Sequence, residues 1–180
     1  MSVETDDAYN DCMKEIYFAG GCFWGTEHFF SLVQGVNGTE AGYANSRVPM
    51  PSYKQVCSGA TNAAETVRVV YDPAVVSLPF LIDLYFKTID PTVLNRQGND
   101  VGTQYRTGIY YTDPADRAII DDAVNRESKR YAHPIVVEVR PLENFYPAED
   151  YHQQYLVKNP GGYCHIDPAL MHLAAKAKDS

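Results

Sequence analysis

The segment best suited to chemistry is Gly20-Gly21-Cys22-Phe23-Trp24-Gly25. Glu15 to Ala19 reads as a short apolar strand, two glycines turn the chain, and Cys22 opens a helix. A thiol in that position faces unpaired backbone N–H groups and the positive end of the helix dipole. Both favour a thiolate, so a lowered pKa and a nucleophile are expected. The glycines let another molecule approach the backbone closely. Phe23 and Trp24 cannot both point into one helix face, so one of them, with Phe23 leaning outward, is free to line a pocket. Taken alone, the segment leaves two readings open: a reactive thiol, or a small buried hydrophobe among core aromatics.

The other cysteines are Cys12, Cys57 and Cys164. None stands at C-x-x-C spacing, and His28, His133, His152, His165 and His172 form no ligand cluster with them, so no metal is expected. A chain of 180 residues buries enough surface to fold without disulfides, so the thiols call for another explanation. So does the excess of tyrosine, 14 beside 7 phenylalanines.

The elements that must position these groups follow from apolar period and punctuation. Cys22 to Val33 suits a helix with one buried face, ended by Gly35. Val36 to Tyr43 reads as a strand and Asn45 to Ser52, with Pro49 and Pro51, as a loop. Ala64 to Tyr71 is a strand by its β-branched content, stopped by Asp72-Pro73. Leu78 to Ile89 is a helix, Asp90 to Gln104 a long polar loop, and Thr107 to Tyr111 a strand. Asp113 as N-cap and Pro114 at the first helical position start a helix that runs to about Tyr131. Ile135 to Arg140 is a strand, Asn144 to Leu156 a loop turning into a short helix, and Asn159 onward mostly irregular. There is no repeat, no G-x-G-x-x-G and no P-loop. The reading is one α+β or α/β domain with a mixed sheet and long loops.

Composition excludes several classes. At 45% hydrophobic and 21% charged the chain is globular, and a net charge of −8 without a Lys/Arg run argues against nucleic acid and anionic membrane as partners. The N-terminus lacks the basic and apolar regions of a secretory signal, and no apolar run reaches membrane-spanning length, so a cytoplasmic protein is expected.

Four ordered blocks carry a more specific resemblance. Gly21-Cys22-Phe23-Trp24-Gly25 is similar to the signature of the type A peptide-methionine sulfoxide reductases. Tyr53-Lys54-Gln55-Val56-Cys57-Ser58-Gly59 with Ala64-Glu65 resembles that family's second motif, and Asn95 to Arg106 its third. Glu149 to Leu156 followed by Asn159 to Cys164 resembles its fourth. The resemblance implies reduction of the S epimer of methionine sulfoxide, free or in proteins. It implies Cys22 as nucleophile and Glu65 as a catalytic acid whose pKa an apolar pocket would raise. Tyr53 and Tyr105 would bind the sulfoxide oxygen, which suits neutral phenolic donors. Phe23 and Trp24 would cradle the methyl group, and Asp100 would position the substrate's main-chain nitrogen. Cys164, on a flexible arm behind Pro160-Gly161-Gly162, would resolve the Cys22 sulfenic acid as a disulfide that thioredoxin or another dithiol reduces, with no other cofactor. Cys12 and Cys57 are bystanders in this scheme.

Two departures stand out. Many members read Thr-Gly-His-Ala-Glu where this chain has Thr61-Asn62-Ala63-Ala64-Glu65, and no cysteine follows Cys164 to relay the disulfide outward. The competing readings are another thiol-based redox enzyme, such as a peroxidase, and a non-catalytic methionine-sulfoxide-binding module. The fold expectation is α+β: a two-layer α/β sandwich with a ferredoxin-like core, long loops and an irregular C-terminal segment. Residues 1–14 are expected as an acidic tail and 15–180 as a single catalytic domain, flexible over 157–180. A monomer is expected.

Overall fold

The structure is a computed structural model that describes residues 12–179; the acidic segment up to Asp11 and Ser180 lie outside the described residues. The elements are β1 (Lys14–Gly20), α1 (Phe23–Ser31), β2 (Val36–Ala44), α2 (Tyr53–Cys57), β3 (Ala64–Tyr71), α3 (Leu78–Lys87), β4 (Arg96–Gln97) and β5 (Asp100–Val101). They continue with β6 (Thr107–Tyr111), α4 (Asp116–Ser128), β7 (Glu138–Pro141), β8 (Phe145–Pro147), α5 (Tyr155–Lys158) and α6 (Pro168–Lys176). Single 3-10 turns cover Thr103–Tyr105 and Asp150–His152.

The main sheet has the strand order β7-β6-β1-β3-β2-β8. Its central four strands are mutually antiparallel, and with the crossovers α1 and α3 they make a β-α-β-β-α-β unit, the ferredoxin-like core expected. β7 adds in parallel to β6, and β8 antiparallel to β2, so the sheet is mixed.

Alternation along β1 sends Ile16 and Phe18 to the helical layer and Tyr17 and Ala19 to the opposite face. Phe18 stacks on Phe30 of α1 and on Tyr85 of α3, with ring centroids 4.8 Å apart in each case, which fixes both helices over one face. The Tyr85 hydroxyl donates to the Ala19 carbonyl and accepts from the Gly108 N–H, tying the end of β1 to β6. A Cβ on Gly20 would lie 3.0 Å from Ile89 and 3.2 Å from the Tyr85 ring, so glycine there permits this approach. The strand that leads into Cys22 is thereby held from below.

Several elements differ from expectation. Tyr53–Cys57, for which the sequence predicts no element, is a helix started by a capping box: Ser52 Oγ accepts from the Gln55 N–H and Gln55 Oε1 accepts from the Ser52 N–H. The 90–104 loop contains the β4–β5 hairpin. α4 begins at Asp116 because Asp113 closes a tight turn instead, accepting from Ala115 N–H with its side chain and from Asp116 N–H with its carbonyl. β7 starts only at Glu138, since the Val136 N–H is taken by the Pro91 carbonyl. The C-terminal segment is irregular through Asp167 and then forms α6, capped by Asp167 on the Ala169 N–H with Pro168 at the first turn. This helix packs on α1, and its Leu170, Met171 and Ala174 join the core cluster.

Candidate active site

Cys22 occupies the N-cap of α1, as the strand–turn–helix reading requires. Gly21 turns the chain with φ +84°, and a Cβ there would meet Gln97 at 2.8 Å. The expected low-pKa thiolate is not what this position produces. Burial pushes the Cys22 thiol well above its ordinary value, the Glu65 carboxylate raises it further, and the Trp24 N–H offsets only part of this. The thiol is 8% exposed, so the hydration lost on ionising outweighs the end of a nine-residue helix.

Glu65, in β3 opposite Tyr43 of β2, is 1% exposed. Its Oε1 accepts from the Phe23 N–H at 3.2 Å, and Oε2 has no partner. Burial pushes its pKa up to about 8, against the Phe23 hydrogen bond and with a smaller contribution from Asp100. The group is therefore a neutral carboxylic acid at pH 7, as the sequence reading anticipated. The turn before it accommodates the Asn62-Ala63 departure. Asn62 takes φ +54°, which asparagine tolerates, and its carbonyl accepts from Arg106 at 2.9 Å. Arg106 also donates to the Thr103 carbonyl and to Glu138, so one guanidinium clamps the Glu65 turn to the Tyr105 turn.

Tyr105 ends that 3-10 turn, and Tyr53 is the first residue of α2. Burial raises both phenols, and Glu65 acts on each: it is the next cause for Tyr105, ahead of Asp100 and Cys22, and follows Cys57 for Tyr53. The two hydroxyls thus share the surroundings of Glu65 and stay protonated donors. Asp100, in β5, has a buried Oδ2 without a partner and lies close enough to bear on Cys22, Glu65, Tyr105 and Tyr163.

The aromatic pair after Cys22 divides opposite to expectation. Phe23 is 1% exposed and packs against Tyr43 and His152, because the first turn of α1 faces the sheet there. Trp24 is the partly exposed ring. It stacks on Tyr155 at 3.7 Å and 10°, and its Nε1–H donates to His152 Nδ1 at 2.9 Å.

His152 has no role assigned from the sequence. It is buried and lies in ring contact with Phe23, Trp24, Tyr53 and Tyr151. Burial lowers its pKa, which keeps Nδ1 free to accept from the indole. Glu149 accepts from Tyr43 Oη at 2.8 Å and Tyr53 N–H at 3.1 Å, joining the 150s segment to α2. Burial pulls Glu149 up, but these hydrogen bonds and one from its own backbone outweigh it and hold the carboxyl below its ordinary value. Glu27 on α1 accepts from Gln154 N–H at 2.7 Å and pins the left-handed Gln154, φ +52°, beside Tyr155. These residues lie in the fourth block, but partners 96 to 127 positions away gave no local signal.

Cys164 is docked against α1 in this structure. Its Sγ rests over Gly25, three residues along α1 from Cys22, at 3.0 Å from where a Cβ would sit, and it donates to the Ile166 carbonyl. Cys12 and Cys57 are exposed, the latter beside the Tyr53 hydroxyl, and all four thiols are free. Among the described residues no three His, Cys, Asp or Glu side chains are placed to hold a metal ion, and no helix is long and apolar enough to cross a membrane.

The chain is similar to known proteins. The family model described as peptide methionine sulfoxide reductase matches residues 14–179. The peptide methionine sulfoxide reductase MsrA of Mycoplasma genitalium is 60% identical over 154 residues, covering 86% of this chain and 98% of that protein. Among solved structures, Mxr1 from Saccharomyces cerevisiae in reduced form superposes with a TM-score of 0.82 at 40% identity, over 86% of this chain and 90% of that one. The same yeast protein in complex with Trx2 gives 0.59 at 26% identity, over 81% and 86%. A buried thiol at a strand-to-helix turn, a neutral carboxylic acid beside it and a second thiol packed over the same helix thus occur in a chain matched almost end to end: it belongs to the peptide methionine sulfoxide reductase family.

Proposed function

We propose that the chain reduces the S epimer of methionine sulfoxide, free or in proteins, with Cys22 as nucleophile and Glu65 as acid. The observation that carries this reading is the neutral, buried Glu65, with an unpartnered Oε2, beside a buried thiol. A sulfoxide needs its oxygen protonated before its sulfur accepts a thiol. Glu65 supplies that proton, and Tyr53 and Tyr105 add hydrogen bonds to the oxygen without bringing charge. Cys22 attacks the sulfoxide sulfur and its thiol proton replaces the one Glu65 gave up. The oxygen then passes from the methionine sulfur to the Cys22 sulfur as the bond between the two sulfurs breaks, so that methionine leaves and Cys22 is left as a sulfenic acid. Because burial disfavours the free thiolate, attack waits for a substrate oxygen to receive the proton, which protects the resting thiol.

Trp24 forms the wall against the substrate methyl group, held by His152 and Tyr155, with Phe23 beneath it as floor. Asp100 Oδ2, buried and unpartnered, receives the substrate's main-chain N–H. Cys164 then displaces the oxygen as water and forms a disulfide with Cys22. A dithiol protein such as thioredoxin reduces that bond directly, in keeping with the yeast relative's complex with Trx2 and with a cytoplasmic setting.

The test is turnover of a peptide carrying separated S and R sulfoxides, with thioredoxin as reductant. The reading predicts consumption of the S epimer alone. Equal consumption of both, or of neither, contradicts it.

A further inference from the structure

The scheme above leaves one buried imidazole without a task. His165 follows Cys164, and both its ring nitrogens are buried without a hydrogen-bond partner. An orphan of this kind is rare and calls for a reason. The ring is wedged at the β1–α1 turn. Its Nε2 lies 3.2 Å from where a Cβ on Gly21 would sit, and its Cε1 3.5 Å from where one on Gly25 would sit. Cys164 Sγ is 3.0 Å from that second point. Imidazole and resolving thiol therefore share one patch of α1, and the ring also abuts the residue before Cys22. Only the absence of side chains at Gly21 and Gly25 makes this possible.

We propose that His165 is the proton acceptor that activates Cys164 for closure of the Cys22–Cys164 disulfide. This rests on the functional reading above and assigns a further residue to its second step. Burial raises the Cys164 thiol, so its sulfur needs a nearby base to become a nucleophile. Burial also lowers the His165 imidazole, which is then neutral and able to accept at pH 7. The groups facing the ring suit the exchange. Asp100 from β5 and the Gly20 carbonyl from β1 both favour the imidazolium once it forms. Tyr163 and Cys164 lie on its own segment, and Gly21, the residue before Cys22, abuts the ring.

The step balances without an outside oxidant. The Cys164 S–H proton, which rests on the Ile166 carbonyl before reaction, turns to the neighbouring His165 ring and passes to it, the Cys164 sulfur attacks the Cys22 sulfur, and the S–O bond of the sulfenic acid breaks. The departing hydroxide takes the proton from the imidazolium and leaves as water. The Cys22 sulfur is reduced by one oxidation level and the Cys164 sulfur oxidised by one.

The test is a rapid-quench single turnover of the full chain with excess methionine sulfoxide peptide and no reductant, from pH 5 to 10. Released methionine and disulfide-linked protein are followed separately, in wild type and His165→Gln. Closure is expected to slow about 10²- to 10⁴-fold more than methionine release near pH 7, the range for loss of a general base. Dimedone then labels Cys22 in the variant, and its closure rate climbs with pH until Cys164 ionises unaided. Wild-type closure is expected to be flat above the ordinary imidazole range and to fall through an inflection below it, where burial places His165. Equal closure rates at every pH overturn the proposal. If the variant fails to fold, wild type alone decides, since closure without an inflection at or below that range also overturns it. Absence of methionine release from wild type overturns the functional reading itself, so the two failures are distinguishable.

Discussion

The Glu65 carboxyl accepts the backbone N–H of Phe23, the residue directly after Cys22, at 3.2 Å, and its second oxygen meets no protein donor. One hydrogen bond thus ties the acid to the first turn of the helix that carries the nucleophile. The free oxygen keeps its proton because burial raises the group to about pH 8. Acid and thiol are placed by different strands, β3 and β1, yet by one pairing of the sheet.

Glu65→Gln keeps an acceptor for the Phe23 N–H and removes the acidic proton. Methionine release in a single turnover is expected to fall about 10²- to 10⁴-fold while substrate affinity changes little. In wild type the same rate declines above about pH 8 as Glu65 ionises. Stability falls in the same direction with pH. A raised carboxyl stabilises the folded state below its unfolded pKa, and that contribution is lost as pH rises through about 8. Glutamine carries no such loss, so the variant's melting temperature should gain on wild type by roughly 3 °C or more between pH 5 and pH 8 in calorimetry.

Gly25→Ala places a methyl 3.0 Å from the Cys164 sulfur, against a short side chain with little room to give. Displacing that sulfur leaves Cys22 and Glu65 in place. One equivalent of methionine should still be released per chain, while disulfide closure slows about tenfold, the change a misplacement of about 1 Å readily causes. Rapid-quench mass measurement of both products checks this; unchanged closure would show that the docked position of Cys164 has no bearing on it.

His152→Ala removes the acceptor of the Trp24 indole and the ring between Trp24 and Tyr53. The substrate's methyl wall loosens, so KM should rise about tenfold, in line with an apolar contact of 1–3 kcal/mol, with a smaller effect on kcat. Trp24 is the only tryptophan, so intrinsic fluorescence reports the change directly. An unshifted spectrum with unchanged KM would remove His152 from substrate binding.

Much of this was legible in the chain. The strand of β-branched residues before Asp72-Pro73 is β3 to the residue, and Cys22 falls at the N-cap that the Gly-Gly turn implies. Local signals also existed for two elements read otherwise: Ser52-x-x-Gln55 is a capping box, and Asp167-Pro168 starts α6. What sequence could not convey is burial set by distant segments. The helix end alone argues for a thiolate at Cys22, but packing by β3 and the 160s segment reverses the sign. Phe23 turns inward for a similar reason, since Tyr43 and His152 close over it from elsewhere in the chain. The hydrogen bonds of Glu149, Gln154 and Arg106 join turns that share no local pattern.

The central claim is that Cys22 takes the substrate oxygen and Cys164 resolves it. The most direct measurement is peptide mapping by mass spectrometry after reaction with excess methionine sulfoxide and no reductant. The account predicts one methionine released per chain and a protein lighter by two hydrogens, linked between Cys22 and Cys164. It further predicts that Cys164→Ser still releases methionine and holds the oxygen on Cys22 as a sulfenic acid. A dominant bridge through Cys12 or Cys57, or methionine release by Cys22→Ser, would contradict it.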